Sequence, residues 1–355
     1  MAWYDPSWLY RQKITIDHTL VAEHLTDFPV LITDAIVQAS LFTHARSDGA
    51  DIVVTAGDET TRLKRELVTY DAVAGELELY VRVPSLSSVT DTEIYVYYGH
   101  AGAAETDDAD TWNADYGVVY HLKEDPAGTA PQAKDSTGNA VHGTYDIAGA
   151  NVEDNTLWGG SCVLFDSGPR LRVEDNPAIE NADRITVEAW VNTLSWPTRA
   201  VICRKEGSYI LYNYSGGFSW YLFGPDNRLQ YDIAGTLGNG AWGYIVGTYD
   251  KDAGSNNQRL YLNGTRVAQM SDTLAIDLNA AALGIGRHVS GIADPFNGHI
   301  DAFRIAHVQR SDGWVATTWN NMSDPGAFAV ASAEEQEDGE PPPLAGAGVV
   351  VCLMT

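Results

Sequence analysis

The sequence predicts an all-β protein made of two β-sandwich domains in succession. Three observations carry that expectation. Short segments alternate apolar and polar residues with a period of two, the pattern of a strand with one buried face. Asp48-Gly49, Gly57-Asp58 and Asn263-Gly264 stand between such segments as turn signals. No long segment carries helical periodicity, and residues 311–321 are the one stretch suited to a short helix. Abundant Tyr (18), Trp (10) and Gly (33) fit the same class.

The first unit spans residues 1–100. Lys13-Ile-Thr-Ile-Asp17 alternates, and so does Glu76-Leu-Glu-Leu-Tyr-Val-Arg-Val83. In the second segment Leu77, Leu79, Val81 and Val83 share the core face. Glu78, Tyr80 and Arg82 are expected to face water. Glu93-Ile-Tyr-Val-Tyr-Tyr98 repeats the pattern. Residues 101–114 are rich in Ala, Asp and Thr and read as a solvated linker. Asp107, Asp108 and Asp110 lack the Gly and terminal Glu of an EF-hand loop.

The second unit spans residues 115–330. Tyr116-Gly-Val-Val-Tyr120 opens it. Arg184-Ile-Thr-Val-Glu-Ala-Trp-Val191 sets Ile185, Val187, Ala189 and Val191 against Thr186, Glu188 and Trp190. Asn263-Gly264 marks a two-residue hairpin, because a type I′ turn needs positive φ at both central positions. Residues 331–355 form a short, flexible, acidic, Pro-rich tail with an apolar end.

The charge balance narrows the partners. Forty-eight acids against 22 bases leave −26. A phosphate backbone needs a basic face, so nucleic acid is excluded as a partner. The longest apolar tract, 344–354, is too short for membrane insertion. Cys162, Cys203 and Cys352 have no metal-ligand spacing and read as buried or free thiols. Asn213, Asn263 and Asn321 each head an N-x-S/T triplet, read here as chance.

Two stretches carry a resemblance. One is 135–143 (DSTGNAVHG) and the other 296–306 (FNGHIDAFRIA). With Val163-Leu-Phe-Asp166, Ile185-Thr-Val-Glu-Ala-Trp-Val191, Leu260-Tyr-Leu-Asn-Gly264 and Ile285-Gly286, they make the second unit resemble a LamG-like (concanavalin A-like) jelly roll. Ala302 departs from the pattern, since relatives usually carry Glu there. The first unit resembles an uncharacterised β-sandwich domain that often precedes LamG-like domains. Its matching residues include Trp8, Arg11, Arg65-Glu66, Val81-Arg-Val-Pro84 and Tyr95-Val-Tyr-Tyr-Gly99. This pair of domains occurs in bacterial surface proteins and in phage tail or virion proteins.

The resemblance implies a structural Ca²⁺ held by Asp135, Asn139, Gly143 and Asp301. The residues allow a second reading: an Asx-turn at Asp135 and a buried, hydrogen-bonded Asp301. For sugars, the candidate stacking rings are Trp196, Tyr212, Tyr214, Trp220 and Tyr231, about half of which strand alternation exposes. No catalytic residue is assigned. The chain lacks a Gly-x-Ser-x-Gly elbow, an HExxH motif and the Glu-x-Asp-x-x-Glu strand of some jelly-roll hydrolases.

The expectation is a non-enzymatic virion structural and adhesion protein, a phage fibre, tail or decoration component. Its partners would be other virion proteins and a cell-surface glycan, and by analogy it would be a homotrimer. The opening residues show no secretory signal, which a virion location would explain. The alternatives are an extracellular bacterial adhesin at the cell surface and a polysaccharide-degrading enzyme acting through residues such as Glu188 and Asp301.

Overall fold

The computed structural model describes residues 3–147, 150–153, 158, 161–166, 168–195, 197–224, 226–232, 237–290 and 294–337. The first unit contributes β1 (Tyr10–Ile16), β2 (Leu25–Thr33), α1 (Ser40–His44), β3 (Val53–Ala56), β4 (Lys64–Asp71), β5 (Glu76–Leu86) and β6 (Thr92–Tyr98). The second contributes β7 (Tyr116–Tyr120), β8 (Thr144–Ile147), β9 (Ala150–Glu153), β10 (Cys162–Asp166), β11 (Arg170–Val173), β12 (Arg184–Thr193) and β13 (Arg199–Lys205). It continues with β14 (Tyr209–Tyr214), β15 (Gly217–Leu222), β16 (Asn227–Asp232), β17 (Trp242–Asp250), β18 (Gln258–Leu262), β19 (Thr265–Met270), β20 (Leu283–Ile285) and β21 (Asn297–Ala306). Then come α2 (Asp312–Ser323), α3 (Pro325–Phe328), β22 (Ala329–Ala331) and β23 (Glu335–Gln336).

Among the described residues these strands form four antiparallel sheets. In the first unit, β22-β1-β6-β3, with β23 also on β1, faces β2-β5-β4. In the second, an eight-stranded sheet (β19-β18-β17-β12-β21-β10-β9, with β7 on β21) faces a seven-stranded one (β16-β15-β14-β13-β20-β11-β8). The jelly-roll core fills with the predicted residues: Ile185, Val187, Ala189 and Val191 from β12 meet Leu211, Phe218 and Trp220 from the opposite sheet. The hairpin forms at Asn263-Gly264, with φ of 50° and 75°. The helix forms as α2, capped by the Ser311 hydroxyl, which accepts from the Trp314 amide.

The polar faces do not reach water as expected. Glu78 and Tyr80 are buried, and so are Thr186, Glu188 and Trp190 on β12. Packing of the first unit's three-stranded sheet against the outer face of the eight-stranded sheet is the reason. One apolar cluster runs through both units, from Leu79 and Val81 to Trp112, Trp190, Tyr244 and Trp314. Alternation in β5 and β12 therefore separates one core from another, not core from solvent.

Two other expectations change. The 101–114 segment is docked along the edge strand β4. Asp107 accepts from the Leu67 amide and the Arg65 guanidinium, and Asp108 from the Arg65 amide. These acids meet the cations and free N–H groups of an otherwise open edge. The tail also begins later than residue 331, because β22 and β23 pair with β1. Glu335 joins Arg11 at 2.7 Å, and the Tyr98 hydroxyl donates to Glu334. The first unit is thus closed by the chain's far end. The rest of the tail call, from 338 on, lies outside the described residues.

Candidate binding face and the calcium residues

Asp135 is fixed by its own loop. Its carboxylate accepts from the amides of Val119, Thr137 and Val141 and from the Thr137 hydroxyl, at 2.8–3.0 Å. Four donors saturate two oxygens. Burial pushes this carboxyl upward, and the N–H groups pull against that. Asn139 spends its amide N–H on the carbonyls of Gly117 and Tyr116. Gly143 forms a backbone bridge with Ala133.

Asp301 lies elsewhere. Asp135 bridges Tyr120 on β7, and Tyr120 pairs with Phe303 on β21. Asp135 and β21 are thus two strand spacings apart, roughly 10 Å. Asp135 spends both oxygens on donors of its own loop, so it offers no carboxylate to an ion beside Asp301. Asp301 instead receives the Lys123 ammonium at 3.2 Å and the Ala302 amide at 2.8 Å. The four residues do not fit the calcium site the resemblance implied. The Asx-turn and buried-Asp reading describes them.

A basic residue stands where that second carboxylate is satisfied. Lys123 Nζ lies 3.2 Å from both Glu78 and Asp301, with the Trp158 ring 5.7 Å away. Beside it His121 meets Glu66 at 3.0 Å, and the Trp112 indole N–H donates to the same carboxylate at 2.6 Å. Arg304 reaches Glu188 and the Tyr80 hydroxyl, both at 3.2 Å. Sequence reasoning missed this network because its members come from both units.

The candidate rings divide by strand parity. Trp220 is fully buried, its indole N–H bonded to the Thr248 carbonyl, so it belongs to the jelly-roll core and not to a sugar site. Tyr231 also points inward, half-buried against that core. Trp196 lies outside the described residues. Tyr212 and Tyr214 point to the outer face of the seven-stranded sheet, with Tyr221 and Phe223, which the sequence reading did not select. A parity count along β15 identifies Tyr221 as the outward partner of inward Trp220.

The outer face has a regular layout. Across the strands run the rows Arg199–Tyr214–Gly217–Asp232, Val201–Tyr212–Ser219–Gln230 and Arg204–Ile210–Tyr221–Arg228. Tyr212 and Tyr214 have centroids 5.7 Å apart, and Tyr221 meets Phe223 edge-on at 4.6 Å. Tyr214, Tyr221 and Phe223 keep part of their surface in water. The Tyr221 hydroxyl is held by Asp226, which pushes it up to about 12.

Among the described residues no helix is long and apolar enough to cross a membrane. Cys162 and Cys203 are buried thiols, and burial pushes the Cys203 thiol up to about 12. Cys352 lies outside the described residues. Asn213 and Asn321 are buried, which removes both as glycan acceptors.

Residues 165–316 match the concanavalin A-like lectin/glucanases superfamily. Residues 48–122 match a domain of unknown function. No curated protein sequence matches the chain. Among solved structures it is similar to domain 4 of AbnA, a GH43 extracellular arabinanase from Geobacillus stearothermophilus, in complex with arabinotriose. Identity is 18%, the TM-score is 0.46, and the match covers 58% of this chain and 98% of that one. It is also similar to the ligand-binding domain of botulinum neurotoxin serotype D in complex with N-acetylneuraminic acid (16%, TM-score 0.44, 59% and 52%). A third is the binding domain of Paraclostridial Mosquitocidal Protein 1 (14%, TM-score 0.44, 58% and 52%). The chain spans about half the length of these two toxin domains. It carries a concanavalin A-like lectin/glucanase domain preceded by a domain of unknown function.

Proposed function

We propose that this is a non-enzymatic adhesion protein that binds glycans on the outer face of the seven-stranded sheet. The observation that carries the reading is the contrast between the two outer faces of the jelly roll. One is buried by the first unit, while the other presents Tyr214, Tyr221 and Phe223 beside arginines and amides. Sugar C–H faces stack on such rings, and sugar hydroxyls bond to the polar groups around them. The carboxylates best placed for hydrolysis, Glu188 and Asp301, are buried and engaged by Arg304 and Lys123. That supports binding over catalysis.

A glycan array probed with the full chain tests the reading. Tyr214→Ala and Tyr221→Ala are expected to weaken binding about 10-fold or more with little change in melting. Unchanged array binding in both variants would remove this face from the function. We further place the protein on a virion, where the acidic body would serve display and solubility. Mass spectrometry of purified particles that lacks the chain would refute that placement.

A further inference from the structure

Two arginines on this face point to a class of glycan. Several half-buried cations elsewhere are matched: Lys13, Arg46, Arg82 and Arg172 each meet a carboxylate within 2.9 Å. On this face Arg204 is likewise spent on Glu206 at 2.6 Å. Arg199 and Arg228 differ. Both guanidiniums lie over the Tyr214 ring, 5.3 and 4.3 Å from its centroid. Arg199 approaches Asp294 only to 3.8 Å, beyond hydrogen-bond contact. Arg228 is exposed and has no carboxylate partner among the described residues. It donates to the Tyr212 hydroxyl at 3.4 Å, the long end of the range. Between Tyr212 and Gln230 in the register, the buried Ser219 hydroxyl has no hydrogen-bond partner among the described residues.

We infer that Arg228 and Arg199, set about Tyr214, read a carboxylate carried on a sugar ring, so that the ligand is an acidic glycan. The inference rests on the glycan-binding reading above. A guanidinium presents paired donors that match a carboxylate, and Arg228 gives up only a long hydroxyl contact to engage one. The ring of the same sugar can then lie on Tyr214 or Tyr221, whose row neighbours are Arg199 and Arg228. Uronic and sialic acids share this chemistry.

Calorimetry on the full chain separates the sources and the claims. The probes are oligogalacturonate with its carboxyl-reduced counterpart, and sialyllactose with lactose. The expected result is an advantage of about 10-fold or more for one acidic member over its neutral partner, shrinking as salt is raised. Whichever pair shows it names the source. Arg228→Gln should erase that advantage and leave the neutral form's affinity in place, and Arg228→Lys should restore part of it. Tyr214→Ala should weaken both forms. Equal affinity for acidic and neutral partners, or an advantage that survives Arg228→Gln, overturns the carboxylate reading while binding lost in Tyr214→Ala keeps the glycan face. No binding of any probe overturns both. Circular dichroism melts matching the parent confirm that each variant is folded.

Discussion

Lys123, in the second unit, lies 3.2 Å from Glu78, in the first, and the same ammonium lies 3.2 Å from Asp301. Glu78 and Asp301 are essentially fully buried. One cation is thus shared by two carboxylates on facing sheets. Removing it leaves two like charges opposed in a dry interface. Lys123→Met is expected to cost about 3–5 kcal/mol, the usual penalty for breaking a buried pair. Adding Glu78→Gln and Asp301→Asn to that variant should recover most of the loss. Denaturant melts of the single and triple variants check both statements. A triple variant no more stable than the single would show that the charges are not what the lysine serves.

The same interface predicts a pH dependence. Burial alone would lower the His121 imidazolium, but the Glu66 carboxylate, through its charge and its hydrogen bond, outweighs it and holds the group above its ordinary value. A raised folded value contributes stability in full below the unfolded value, about 6.5, and loses it as pH rises through the folded one. Burial likewise pushes the Asp301 carboxyl upward, against the pull of Lys123. Its contribution has the same sign, present in acid and lost as pH rises. Glu66 runs the other way: burial raises it, His121 and neighbouring donors lower it further, and the net lowering is lost only as pH falls below the usual carboxylate range. Melting temperature should therefore be higher at about pH 5.5 than at about pH 8. His121→Gln should flatten part of that slope, and an unchanged slope would remove His121 as a source.

Much of this was legible in the sequence, and the misses share a cause. Alternation located β5 and β12 and named the residues facing each core, because that signal is local. It could not say what covered the other face. Glu78, Tyr80, Glu188 and Trp190 look like solvent-facing residues until the second sheet is laid on them. Asp107 and Glu335 belong to the same group, being acids whose cations, Arg65 and Arg11, lie far away in the chain. Tyr212, Tyr214 and Trp220 are named from their aromatic type and place on successive predicted strands, and parity along β14 and β15 exchanges Trp220 for Tyr221 as an outward ring. Asp135 stands out in the sequence as an oxygen donor in a turn, but its partners are mostly backbone amides, which no residue pattern displays.

Calcium is therefore expected to matter little to the fold. With four donors on Asp135 and a lysine on Asp301, a chelator should leave the melting temperature unchanged. Asp135→Ala should cost about 2 kcal/mol or more, because buried amides of Val119, Thr137 and Val141 would lose their acceptor. Calorimetric melts of parent and variant with and without EGTA test the pair of statements. A chelator-sensitive parent would show that an ion binds despite these contacts.

Trp220 supplies the last prediction, because its burial depends on a residue on the opposite sheet. Gly247 sits on β17 where the Trp220 indole crosses the sandwich core. A Cβ added at Gly247 would come within 2.4 Å of the ring. The ring cannot yield easily, since its N–H is bonded to the Thr248 carbonyl and it lies tilted beside Tyr209, ring centroids 6.0 Å apart. Overpacking of this kind costs about 1–3 kcal/mol. Gly247→Ala should fall in that range, and pairing it with Trp220→Leu should cost less than the two changes summed, because the smaller side chain gives the new methyl room. A double-mutant cycle by denaturant melts measures the coupling. Strict additivity would mean that the indole and Gly247 do not meet in solution.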